Sequence, residues 1–353
     1  MREQGDGSRL TPALLAMPAP RAVRVIARHL LHDLLTAQAR FEKDEPDALH
    51  DLRVALRRLR SWLRAFRPEL SDTVKGRTRR RLRALASATG EARDAEVMLA
   101  FIERQSRLPS RTRAGIRAVV GQLEHERDHH VRGLRRTLAR DVSKAARDLT
   151  RQLESYWERH RLDEPSTVRF MAAVFGDALR QHAKQLGSAL ARIEPPGRAE
   201  QVHRARIAAK RLRYLLEPSS EALGAEEPIR QLQALQRQLG VARDAHRIAM
   251  RLVRDIGEDA ARHARGRALA TAGIAPQDGA DASSPSASRS GLRELARRAQ
   301  AAREAAFAEF VARWGDGEAA VLVHRIDDLV ARVAASQSAA TTSIPLPSSS
   351  PVC

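Results

Sequence analysis

Two stretches of this chain, 49–66 (LHDLRVALRRLRSWLRAF) and 202–217 (VHRARIAAKRLRYLLE), carry one pattern. Each reads apolar, His, two residues, Arg, a β-branched residue, Ala, one residue, two basic residues, Leu, Arg. His50 falls on His203, Arg53 on Arg206, Arg57 on Lys210, Arg58 on Arg211 and Arg60 on Arg213, at one constant offset. A second pattern recurs in the same order at an offset only three residues shorter. Leu85, Gly90 and Ala92-Arg93-Asp94-Ala95 match Leu235, Gly240 and Ala242-Arg243-Asp244-Ala245. Two unrelated patterns repeated in order imply an internal duplication, so the fold must be built from two similar halves.

Neither stretch has a Gly or Pro between its His and its last Leu, and both are rich in helix formers, so both are expected to be helices. At about 100° per residue, His50, Arg53, Arg57, Arg60 and Arg64 share a sector of roughly 80°. Leu49, Leu52, Leu56, Leu59, Leu63 and Phe66 fill the adjoining sector, and Arg58 points elsewhere. The second copy puts His203, Arg206, Lys210 and Arg213 beside Val202, Leu212 and Leu216. A cationic stripe thus borders the buried stripe in each half. The plain alternative for such a stripe is a solvated face or a set of inter-helix salt bridges.

Long sections with a 3.6-residue apolar period and no alternating strand signal make the chain all-α, with two antiparallel helical bundles related by a pseudo-twofold expected. Residues 1–19 are expected to be a flexible leader, 20–164 the first bundle and 165–335 the second. A Ser-rich insertion at 275–291 and a disordered tail at 336–353 complete the layout. Helices are expected at 21–43, 71–88, 91–105, 111–140, 142–160, 168–193, 291–313 and 318–335. Asp47 is the expected cap of the first stripe helix. Gly90 and Gly240 are expected to end helices with positive φ, which puts Asp94 and Asp244 in the first turn of the next.

Formal net charge is +19, from 62 Lys+Arg against 43 Asp+Glu, and lysine stands only at positions 43, 75, 144, 184 and 210. That imbalance calls for an anionic partner. Aromatics, at 3%, are too few for base stacking to dominate, which weighs against single-stranded nucleic acid. Cys353 is the one cysteine, so disulfides and Cys-based metal sites are excluded. No apolar run is long enough to span a membrane, and the N-terminal segment lacks the apolar core of a secretory signal. The expectation is a soluble, cytoplasmic protein without a membrane partner.

Guanidinium forks bind phosphate oxygens bidentately and stay charged at any relevant pH, so a stripe of them suits a chain of phosphates. His125-Glu126-Arg127-Asp128-His129 is formally HExxH, the pattern of a zinc helix. Its intervening residues are charged and the next Glu downstream, Glu154, is distant, so a solvated helix face is the expected reading. No phosphate-binding glycine loop, dinucleotide fingerprint or nucleophile elbow is present, so no cofactor, metal or catalytic residue is expected.

The His-x-x-Arg-(Val/Ile)-Ala-x-(Arg/Lys)-Arg-Leu-Arg helix, the Gly-x-Ala-Arg-Asp segment and their duplication resemble the CHAD domain, the conserved histidine α-helical domain. The resemblance spans roughly residues 20–335. It implies two helical bundles facing each other across a basic channel that binds inorganic polyphosphate, with some members on polyphosphate granules. Members often follow a triphosphate tunnel domain of the CYTH type. Few residues precede Arg21, so a stand-alone CHAD protein is expected. The implied ligands are His50, Arg53, Arg57, Arg60, His203, Arg206, Lys210 and Arg213. Arg64 (Glu217 in the second copy), Arg28, His29, His182, Arg93 and Arg243 are secondary candidates. The expected function is non-catalytic polyphosphate binding, as a scaffold or granule-associated factor. The alternatives are non-specific nucleic-acid binding by the same face and a metal-dependent polyphosphate hydrolase.

Overall fold

The structure, a computed structural model, describes residues 9–105, 110–159, 169–194, 197–273, 285–315 and 317–342. It is all-α. Its helices are α1 (Pro12–Leu15), α2 (Ala19–Glu42), α3 (Ala48–Ala65), α4 (Gly76–Glu103), α5 (Ser110–Arg159), α6 (Met171–Leu190), α7 (Ala199–Leu216), α8 (Ser220–Leu223), α9 (Glu226–Thr271), α10 (Pro285–Trp314) and α11 (Glu318–Thr342). Among the described residues the one extended pairing is an isolated bridge between Pro18 and Phe170.

Helices α2 to α5 pack on one another, and so do α6, α7, α9, α10 and α11. The two groups meet where α3 lies on α7, α2 on α6 and α5 on α10. The leucines of α3 explain its seat. Leu52, Leu56, Leu59 and Leu63 recur at helical spacing and are fully buried, with Trp62 and Phe66 beside them. Trp62 donates from Nε1 to the Val23 carbonyl at 3.0 Å, and the Phe66 ring lies 6.4 Å from Phe175 of α6. This core is continuous across both groups of helices.

A second, smaller core lies further along the long helices, where Met98, Leu99 and Ile102 of α4 meet Leu123 of α5, Ile248 and Leu252 of α9 and Leu295 of α10. Along α4 the first core ends at Leu85 and the second begins at Met98. Along α9 they are separated by Arg243, Asp244 and Arg247. The long helices therefore carry a polar layer between two apolar ones.

Several boundaries differ from expectation. The segment taken as a loose leader is packed from residue 9: Leu10 is 1% exposed and its amide donates to the Pro218 carbonyl, while Ala19 N–H donates to Arg169 and Met171 N–H to Met17. Buried Leu10 and Leu15 supply the apolar area that holds it. Helices α4 and α9 run unbroken through Gly90 and Gly240, neither of which has positive φ. A glycine inside a helix costs only about 1 kcal/mol, which long flanking apolar stripes outweigh. Asp94 and Asp244 accordingly sit mid-helix. The stretches expected at 111–140 and 142–160 are one helix, because Leu138 and Val142 continue a single buried stripe.

Asp47 stands at the cap position of α3 but in the left-handed region, φ 58°, and its side chain makes no cap hydrogen bond. Gly197, in the expected turn between α6 and α7, takes φ +74°, where an added Cβ would meet the Phe307 ring. Residues 285–291 of the expected insertion belong to α10, and α11 continues through 336–342 of the expected tail. The expected boundary at 164/165, the first part of the insertion and residues 343–353 lie outside the described residues. No described helix is long and apolar enough to cross a membrane.

Candidate anion-binding site

The packing of α3 on α7 brings the two cationic stripes together, and α4 and α9 add their polar layer to them. Arg57 of α3 is the link: its charge acts on Arg206 and Lys210 of α7 and on Arg243 of α9. Arg53, on the same face of α3, is influenced by Arg57 and by Arg93 of α4. Of these cations Arg53 is buried, Arg57, His203, Arg206, Lys210 and Arg243 are half-buried, and Arg93 is exposed.

Their electrostatics follow from that burial. Arg53 is 9% exposed, and burial, then Arg57 and Arg93, push its guanidinium down to about 10. Lys210 is pushed down to about 6, first by burial and then by Arg206, Arg57 and Arg243; Asp244 opposes the shift. His203 lies below the usual imidazole range through burial and the charges of Arg243, Arg206, Lys210 and Arg247. Arg206 is lowered by burial, with Asp244 working against Arg243 and Arg57. Burial and like charge disfavour the same charged forms here, and an incoming polyanion would relieve both.

Hydrogen bonding gives the same picture. Arg53 Nη1, Arg206 Nε and His203 Nδ1 are buried and have no hydrogen-bond partner among the described residues. Leaving such groups unmet costs about 1–3 kcal/mol each, which a partner from outside the chain would relieve. Gly240 lies against this layer: a Cβ there would be in van der Waals contact with Arg206, 3.4 Å from Nε and 3.5 Å from Nη2. Two of the acids nearby, Asp94 and Glu96, are engaged. Arg247 makes a two-pronged ion pair with Asp94, tying α9 to α4, and Arg93 donates to Glu96 at 3.1 Å.

Of the expected ligands, Arg53, Arg57, His203, Arg206 and Lys210 converge, together with Arg93 and Arg243. Arg60 faces Arg64 and Arg83 as well as Arg57 and borders the layer from further along α3. Arg213 is committed elsewhere. It donates to Gln236 at 3.0 Å and Glu217 at 2.7 Å, and its guanidinium stands 4.6 Å from the centre of the buried Tyr214 ring. Glu217 also receives Arg58 at 2.7 Å, so this network clamps α3 to α7 on the side away from the cations. His50 is exposed in the first turn of α3. Exposed Arg28 and half-buried His29 of α2 are not among the principal charges acting on the layer. His182 of α6 lies by Arg211 and Arg64, its Nδ1 buried without an acceptor and its pKa lowered by burial and those arginines.

Sequence reasoning missed Arg247, which matches no residue of the first stripe; the repeated Asp94 was the available signal, since an Asp beside so many arginines needs a partner. The HExxH residues lie on α5, with His125 and His129 exposed. Glu126 receives Arg251 at 2.8 and 3.1 Å and Gln122 at 3.0 Å, and these bonds, Arg251 first, hold its carboxyl below the usual range. Among the described residues no group of three or more His, Cys, Asp or Glu is placed to hold a metal ion.

A family model described as the CHAD domain matches residues 25–253. Among solved structures, the crystal structure of the CHAD domain from the plant Ricinus communis aligns with a TM-score of 0.54 at 22% identity. The alignment covers 81% of this chain and 96% of that one, a likeness of fold. No curated protein sequence matches.

Proposed function

The chain belongs to the CHAD domain family, and on that premise we propose that it binds inorganic polyphosphate in the cationic layer of α3, α4, α7 and α9, as a scaffold that does no chemistry on the polymer. One observation carries the reading: cations from both halves converge in a partly buried layer, where Arg53 Nη1 and Arg206 Nε are donors that no described residue accepts and burial is the first cause lowering Arg53, Arg206 and His203. Five guanidinium groups (Arg53, Arg57, Arg93, Arg206, Arg243) with Lys210 between helices form a track and not a point, which suits a repeating anion. By the same reading the channel runs between the halves, and the protein resides in the cytoplasm at polyphosphate granules.

The test is Arg53→Glu with Arg206→Glu in the full chain, assayed for retention on long-chain polyphosphate. Retention is expected to be lost while helicity by circular dichroism is kept; a double variant retained like the wild type sinks the proposal. Binding should weaken steeply with salt, because each phosphate neutralised releases a counterion. Competition separates the nucleic-acid alternative: a base-free polyanion is expected to displace DNA, and DNA displacing polyphosphate would favour the other reading.

A further inference from the structure

A second group of cations lies outside the central layer. Between α3 and α4 is a cavity of about 160 Å³ lined by Arg60, Arg64, Arg67, Arg79 and Arg83. Its apolar wall is Leu63 and Leu82, of which Leu63 is 2% and Leu82 0% exposed, so part of the lining excludes water. No carboxylate lines it. None of the five arginines makes an ion pair with a described residue, in a chain where most charged neighbours are paired; Arg81 of the same helix, for example, meets Asp148 at 2.7 Å. Arg79 Nε and Nη2 are buried and have no acceptor among the described residues.

Like charges bear on one another here without relief. Arg79 is lowered by burial and then by Arg67, and Arg60 by burial and then by Arg64, Arg83 and Arg57. Such a cluster destabilises the fold unless an anion of several charges joins it. A lone carboxylate would leave most of the charge uncompensated. Arginine alone, with no lysine, lines the cavity, and the planar fork matches phosphate oxygens two at a time. The cavity, about 160 Å³ and open to solvent, has room for two phosphoryl groups.

We propose that the α3/α4 arginine cavity is a separate binding site for a diphosphate group, either free pyrophosphate or the terminal diphosphate of a longer condensed phosphate. It stands whether or not the central layer takes polyphosphate. Half-buried Arg79 and Arg60 hold the group on the inner side, exposed Arg64, Arg67 and Arg83 at the mouth, and Arg60 joins the cavity to the central track through Arg57.

Calorimetric titration of the full chain with pyrophosphate tests this. Arg79→Gln is expected to weaken pyrophosphate at least tenfold, while Arg204→Gln, exposed on α7 and outside both sites, changes it less than twofold. Pyrophosphate should also raise the melting temperature of the wild type but not of Arg79→Gln, and that variant alone should melt no lower, because it removes a repelling charge. Pyrophosphate binding unchanged in both Arg79→Gln and Arg83→Gln, or abolished by Arg206→Gln, overturns the proposal. Should Arg79→Gln lose its helical signal, Arg83→Gln carries the test. Esterifying the ends of a long polyphosphate separates the sources: affinity falling as far as Arg79→Gln lowers it assigns the chain end, and unchanged affinity with pyrophosphate still bound assigns the free ion. Loss of central binding in the Arg53/Arg206 variant with pyrophosphate binding intact would show the two sites to be distinct.

Discussion

Raising the pH from 6 to 8 should weaken polyphosphate binding through one side chain, Lys210. Its ammonium is depressed from 10.5 to about 6 by burial and by Arg206 of its own helix, Arg57 of α3 and Arg243 of α9, with Asp244 of α9 the opposing charge. Unliganded, it is about half charged at pH 6 and about 1% charged at pH 8. Phosphates arriving beside it favour the charged form, so the complex takes up a proton as it forms. Affinity should fall by about fiftyfold between those two pH values if the bound ammonium stays protonated. His203 is held below the usual imidazole range, first by burial and then by the surrounding arginines and Lys210. Terminal phosphates gain charge over the same range and act oppositely, so a long polymer, dominated by internal groups, is the right probe. Calorimetry in two buffers of different ionisation heat should show close to one proton taken up at pH 8. Lys210→Arg should flatten the profile and bind better than wild type at pH 8. Equal wild-type affinity at pH 6 and pH 8, or an unchanged slope in Lys210→Arg, refutes the reasoning. For the unliganded fold the sign is fixed by the same shift: the unfolded lysine binds its proton more tightly, so stability declines as pH falls from about 10 to about 6 and then levels.

Gly90→Ala and Gly240→Ala should each stabilise their helix by about 0.5–1 kcal/mol, since nothing lies within 4 Å of the first added Cβ and the second makes ordinary contact with Arg206; thermal melts against the wild type check this, and a loss in either variant would count against the helical role of that glycine. Arg24, fully buried, donates to the carbonyls of Pro20 and Glu69 at 2.8 Å, to Asp72 at 2.6 Å and to Thr73 at 2.9 Å, with the Tyr156 ring 3.8 Å from its guanidinium. Arg24→Ala should cost about 3 kcal/mol in urea unfolding; a loss under 1 kcal/mol would show the network to be incidental. Glu126→Gln should cost about 1 kcal/mol through the Arg251 pair and leave polyphosphate binding unchanged. Orthophosphate release with added zinc, abolished by this substitution, would instead revive a hydrolase.

Local pattern made much of this legible. The 3.6-residue leucine spacing of α3 placed both its buried stripe and its cations, because in a helix the backbone alone decides which side chains share a face. Helix ends were less legible. Gly90, Gly240 and Asp47 have the chemistry of caps, but whether a glycine breaks a helix depends on what packs against its flanks, and those partners are distant in sequence.

By itself, the sequence determined the helical class, the repeated stripes and the excess of positive charge, all properties of residues near one another in the chain. Only the tertiary structure decided which stripe cations act together. Arg57 meets Lys210 because α3 lies on α7, while Arg213, the counterpart of Arg60, is drawn to Gln236 and Glu217 instead. The same packing gathers Arg67 and Arg79 into a cavity that no spacing rule links. The depressed Lys210 also belongs to that level, because desolvation and like charge are set by neighbours from other helices and not by the residue itself.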